Sequence, residues 1–93
     1  MKVRIQLDIE EKHIDEVVEA PDAEGVLRTV QDKVAKALGW KGLLIRALTP
    51  LQFAQEAVKR YNEAKVKNHP LPTNVDEFVE FGKAIGYLTV IEE

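Results

Sequence analysis

Residues 2–10 read KVRIQLDIE, and polarity alternates through them: Val3, Ile5, Leu7 and Ile9 fall on one side, Arg4, Gln6 and Asp8 on the other. A period of two held over that length describes a strand with one face on a core and one in water. Such a strand needs a neighbour, and the following residues supply it. The stretch HIDEVVEA, residues 13–20, contains β-branched residues and stops at Pro21. A turn centred on Glu11-Lys12 sets Ile9 opposite Ile14, Ile5 opposite Val18 and Arg4 opposite Glu19, so a hairpin is expected. That register has costs. Glu16 lands on the apolar face, Asp8 meets Asp15, and the turn lacks the Asn-Gly or Gly residues of tight hairpins, which a shorter or bulged second strand would relieve.

From Asp22 the period changes to helical. Leu27, Val30, Val34 and Leu38 form one stripe with Ala35 and Ala37 beside it; Asp22 caps the start and Gly39 suits the stop, placing Trp40 back against the last turn. The run GLLIRAL, residues 42–48, is short and nearly continuously apolar, and reads as a buried strand. It ends at TPLQ, where Thr49 caps a helix, Pro50 takes the first helical position and Gln52 completes a capping box. Phe53, Ala54, Ala57, Val58, Tyr61 and Ala64 stripe this helix, which is expected to end near Asn68. After the rigid turn HPLPTN, Thr73 or Asn74 opens another helix with Val75, Phe78, Val79, Gly82 and Ile85 inward and Phe81 on its flank. Gly86 closes it, and YLTVIEE is extended.

The expected order is therefore β-β-α-β-α-α-β: an α+β fold with helices on one face of a small, mostly antiparallel sheet. Ninety-three residues make one domain, 1–93, with no internal repeat and no linker. A sheet of this kind leaves edges, and the first and last strands are the candidates for pairing with another chain, unless Glu92 and Glu93 guard the last.

Composition removes several chemistries. The chain holds no cysteine, which excludes disulfides, thiolate nucleophiles and thiolate metal sites, and fits a cytoplasmic setting. It holds no serine, and no apolar run approaches the ~20 residues of a membrane span. Nothing resembles a signal peptide, because the first nine residues alternate in polarity. Few Asn, one Met and many Glu, Lys and Val point to a heat-adapted source. Phosphate-binding glycine patterns are missing, so no cofactor is expected; Gly39, Gly42, Gly82 and Gly86 suit helix ends, turns or close packing. His69 has no partner at metal-ligand spacing, and Asp15, Glu16 and Glu19 make no calcium loop. Trp40, Phe53, Phe78 and Phe81 are read as core.

Charge is uneven. Residues 59–69, KRYNEAKVKNH, carry a net +3 between two acidic flanks in a chain of net charge −3. On a helix, Glu56 precedes Arg60 by four and Glu63 precedes Lys67 by four, both in the supporting orientation, while Lys65 and Lys67 complement the helix dipole. Val66 lies off the main stripe and is expected to pack on the following turn. These are the uses of a solvated helix end. The alternative is a phosphate-binding surface made of Lys59, Arg60, Lys65 and Lys67. Two helices joined by a short turn and followed by AIGYLTVIEE resemble the second half of a winged helix over residues 50–93. That resemblance implies that the last helix reads DNA, yet it carries Asp76, Glu77 and Glu80 with Lys83 as its only base.

Three functions follow as expectations. The first is a non-enzymatic interaction module that presents a strand edge or helix face to a protein partner or a second copy of itself. The second is a small nucleic-acid-associated regulator using Lys59, Arg60, Lys65 and Lys67. The third is an enzyme built around His13, which shares a strand face with Asp15.

Overall fold

The computed structural model describes residues 1–9 and 12–92. Strands β1 (Lys2–Ile9) and β2 (Lys12–Glu19) lead into α1 (Ala23–Leu38), a 3-10 turn (Gly39–Lys41) and the short α2 (Gly42–Arg46). Then come α3 (Pro50–Lys65), α4 (Val75–Ile85) and β3 (Leu88–Glu92). The three strands form an antiparallel sheet in the order β2-β1-β3, and α1 packs on β1 and β2 while α4 packs on β3. The fold is α+β, with helices on one face of a small antiparallel sheet.

Alternation in β1 does what its period requires. Val3 and Ile5 are fully buried beneath the helices, together with Ile14 and Val18 of β2 and Leu88 of β3. Val26, Leu27, Val30 and Val34 of α1, Phe53, Ala54 and Val58 of α3 and Phe78 of α4 close the same cluster. The helix starts follow their sequence signals. The Gly25 amide donates to Asp22 Oδ1 at 2.8 Å. The Gln52 amide donates to Thr49 Oγ1 at 3.2 Å while the Thr49 amide donates to Gln52 Oε1 at 2.9 Å. Asn74 caps α4, accepting from the Glu77 amide at 2.8 Å.

The hairpin forms in a register two residues away from the expected one. Val3 faces Val18, Leu7 faces Ile14, Arg4 faces Val17 and Asp8 faces His13. A shift of two leaves every side chain on its own face, so the hydrophobic pattern cannot choose between the two registers. Polar pairs choose: Asp8 meets His13 where it would have met Asp15, and Arg4 binds Asp15 on the diagonal through two hydrogen bonds of 2.9 and 2.8 Å. Glu16 does point to the helical side, where Lys33 of α1 meets it at 2.6 Å. Of the expected turn centre, Glu11 lies outside the described residues and Lys12 belongs to β2.

Two further expectations are corrected. Residues 42–48 are not a strand: GLLIR is α2, and the order is β-β-α-α-α-α-β apart from the 3-10 turn. Leu, Arg and Ala are strong helix formers and Ile45 is the run's lone β-branched residue, so local preference favours helix where periodicity is silent. And β1, expected as an exposed edge, is the central strand. The edges are β2 and β3.

Candidate protein-docking surface

The segment expected as a strand exposes three large apolar side chains. The 3-10 turn continues directly into α2, so Trp40, Leu43 and Leu44, at spacings of three and four, share one face. That face is outward: Trp40 is 79% exposed, Leu43 67% and Leu44 76%. The opposite face carries buried Gly42 and half-buried Ile45 and rests on α1. Gly42 sits so close to α1 that a Cβ there would stand 2.0 Å from the Ala35 carbonyl oxygen. Trp40 therefore does not fold back on α1 as expected of a core residue; the inward positions belong to Gly42 and Ile45.

The segment is pinned as well as packed. Gln31, a buried polar side chain of α1, donates from Nε2 to the Ile45 carbonyl at 2.7 Å and the Leu48 carbonyl at 2.9 Å. Asp32 receives Lys36 at 3.1 Å and Arg46 at 3.2 Å. Those bonds, Lys36 first, hold the Asp32 carboxyl below the usual carboxylate range. Among the described residues, Lys36, Arg46 and Asp32 lie beside the apolar face, and Lys41 is next to Trp40 in the chain.

A second apolar surface lies between the connection 66–74 and α4. His69, Leu71, Phe81 and Ala84 line a shallow, open depression beside which stand Asp76, Glu77 and Glu80. Its floor is held firmly. Asn62 accepts from the His69 amide at 3.0 Å and donates to the His69 carbonyl at 2.9 Å. The His69 ring lies 5.6 Å from Tyr61 and 5.3 Å from Phe81, and Tyr61 also meets Phe81 and Tyr87 edge-on. Burial raises the Tyr87 phenol above its ordinary pKa. Gln55 donates to the Pro72 carbonyl at 3.0 Å, fixing the same connection farther along. Glu77 accepts from the Thr73 amide at 2.7 Å and hydroxyl at 2.8 Å, which lowers its pKa and keeps it ionised.

The basic segment takes a different form from the expected continuous helix. Lys59, Arg60, Lys65 and Lys67 are all exposed, but α3 stops at Lys65, so Glu63 and Lys67 do not face each other across a helical turn. Arg60 meets Glu56 at 3.9 Å. Val66, expected to pack, is the C-cap in the left-handed region with φ 53°, and is 90% exposed. The following strand, β3, hydrogen-bonds to β1.

His13 is oriented by a different carboxylate from the expected one: its Nδ1 lies 2.7 Å from Asp8, while Asp15 is occupied by Arg4 and held below its ordinary pKa chiefly by that bond. Both His13 and Asp8 stand exposed on the solvent face of the sheet. Among the described residues, no group of three or more His, Asp or Glu side chains could hold a metal ion, and no helix is long and apolar enough to cross a membrane.

The two sheet edges differ. Edge β2 presents Lys12, His13, Asp15, Glu16 and Glu19, a charged border that discourages strand addition. Edge β3 is five residues long and bulged, Val3 facing Val90 and Lys2 facing Glu92 with Ile91 between them. Both therefore carry features that oppose pairing with another strand. Comparison with protein-family models, with curated proteins and with solved structures gives no match to this chain.

Proposed function

We propose that this protein is a small, cytoplasmic, non-enzymatic interaction module that self-associates through a helix face, the outer side of the 3-10 turn and α2. The joint exposure of Trp40, Leu43 and Leu44 carries this reading. Single exposed leucines are ordinary, whereas a tryptophan and two leucines gathered on one rigid face mark a surface that another molecule covers. Tryptophan is also among the residues most enriched at interface anchors. Gly42 and Gln31 support the reading in a second way, because both hold α2 in place while its large side chains remain in water. A core of this size benefits from a partner, since a short chain buries a smaller share of its surface.

The rival reading is a small nucleic-acid-associated regulator using Lys59, Arg60, Lys65 and Lys67. Exposure of those cations favours it, while the net charge of −3 and the acidic face of α4 oppose it.

Sedimentation equilibrium over micromolar to millimolar concentration tests the proposal. The average mass should rise above 10.5 kDa with concentration. Trp40→Ser/Leu44→Ser, whose far-UV circular dichroism should be unchanged, should weaken association roughly thirtyfold or more, the loss of an anchor of about 2 kcal/mol. A wild-type chain that stays at the monomer mass throughout refutes it.

A further inference from the structure

We infer that the connection after α3 is a site of limited proteolysis, cut between Lys67 and Asn68 by a protease with a lysine-directed pocket, and that the two pieces remain one folded unit. The inference does not depend on the proposed self-association.

Such a protease receives a Lys or Arg side chain in an acidic pocket and needs the flanking backbone accessible, which is why exposed connections are cut first. The chain holds 13 Lys and Arg residues. Among the described residues, Lys67 is the one of these that stands outside a helix, a strand or the 3-10 turn. Residues 63–68 are exposed without interruption, so the side chain and both its flanks stand in water. The backbone there is also readily straightened. Val66 would leave a left-handed conformation, φ 53°, that a β-branched residue disfavours. The bonds released with it run from the Val66 and Lys67 amides to the Asn62 carbonyl. A cut at Arg4, by contrast, requires opening the central strand of the sheet.

Cleavage consumes one water. Its oxygen bonds to the Lys67 carbonyl carbon, the bond from that carbon to the Asn68 nitrogen breaks, and the nitrogen takes a proton. The products are a carboxylate on Lys67 and an amine on Asn68. The second piece stays seated because its contacts lie beyond the cut. The His69 amide donates to Asn62 at 3.0 Å and the His69 carbonyl accepts from Asn62 at 2.9 Å. Gln55 holds the Pro72 carbonyl, Phe78 and Leu88 belong to the core, and β3 pairs with β1. What the cut removes is the covalent closure between α3 and α4, so unfolding of the cut protein releases two chains and its melting temperature depends on concentration.

A trace of trypsin acting on the folded chain, followed by intact-mass spectrometry, tests this. The first products should be residues 1–67 and 68–93, eluting together with the uncut chain in native gel filtration and apart in concentrated urea. Lys65, the last residue of α3, offers a second cut two residues earlier, so Lys67→Gln alone should move the first cut there. Lys65→Gln/Lys67→Gln, with unchanged circular dichroism, should slow loss of the intact chain roughly tenfold or more, since the pocket rejects an uncharged side chain. Lys83→Gln, inside α4, should leave the rate as it is. A first cut at any other Lys or Arg overturns the site. Loss of the intact chain straight to small peptides overturns it too, because cleavage then follows global unfolding. Pieces that part in native gel filtration overturn the two-piece unit.

Discussion

Val66 ends α3 with φ 53° and ψ 51°, a left-handed conformation that crowds a β-branched side chain against its own carbonyl. For an ordinary L-residue this geometry costs about 1–2 kcal/mol. The side chain recovers almost nothing by packing, since it is 90% exposed. Val66→Gly removes the steric cost, and the greater freedom of glycine in the unfolded chain returns about 0.4–1 kcal/mol of it. The net expectation is a gain of about 0.5–1 kcal/mol. For a domain of this length that raises the melting temperature by about 2–8 °C. Val66→Asn should act in the same direction, because asparagine tolerates the left-handed region while restricting the unfolded chain more than glycine does. Ala64→Gly, two residues earlier and inside the helix, should act oppositely, costing up to about 1 kcal/mol. Calorimetry on the Trp40→Ser/Leu44→Ser background separates these effects from association, which would otherwise add its own stabilisation. If Val66→Gly and Val66→Asn both melt at or below the parent temperature, the turn does not hold residue 66 as described.

Gln31→Leu should destabilise by about 1–3 kcal/mol, because it leaves the Leu48 carbonyl without the amide that now serves it and the Ile45 carbonyl with only its backbone donor. Hydrogen exchange should quicken in residues 42–48 while β1 stays protected, and equal loosening everywhere would show that Gln31 does not act as a local latch. Glu77 gives a pH dependence of defined sign. Its folded pKa lies below the ordinary 4.5, chiefly through the Thr73 amide bond, so its contribution is complete above 4.5 and is lost as pH falls through the folded value. The difference in urea midpoint between wild type and Glu77→Gln should therefore shrink on acidification from neutral pH. A difference that stays constant down to pH 2 would refute the Thr73–Glu77 assignment.

What was legible in the sequence was whatever local chemistry decides. Thr49-Pro50-Gln52 specifies a helix start whose every bond lies within four residues, and Asp22 and Asn74 do the same for α1 and α4. The alternation in β1 announces a strand because its period has no helical counterpart. What was illegible depends on distant groups. The hairpin register turns on Arg4 reaching Asp15 and Asp8 reaching His13, since hydrophobicity scores both registers alike. GLLIRAL, apolar at nearly every position, hides which of its residues face outward until Gly42 finds the Ala35 backbone. Gln31 gives no local sign that it will be buried; its partners lie 14 and 17 residues away. Trp40 reads as interior by residue type alone, and its outward position depends on how α2 seats on α1. The exposed apolar face is hidden from the sequence for the same reason as the extra helix: both follow from how α2 seats on α1.

The position of β1 between β2 and β3 has a bearing on how the chain is made. Its partner on one side is contiguous hairpin, but on the other it is Leu88–Glu92, with Lys2 meeting Glu92 ninety residues along the chain. Closing so wide a loop is slow compared with zipping a hairpin. During synthesis, the backbone of Arg4 and Gln6, whose hydrogen-bonding groups point toward β3, waits with that row unmet until the last strand of the sheet emerges from the ribosome. Among the three strands, the first to be translated is thus the last to be finished.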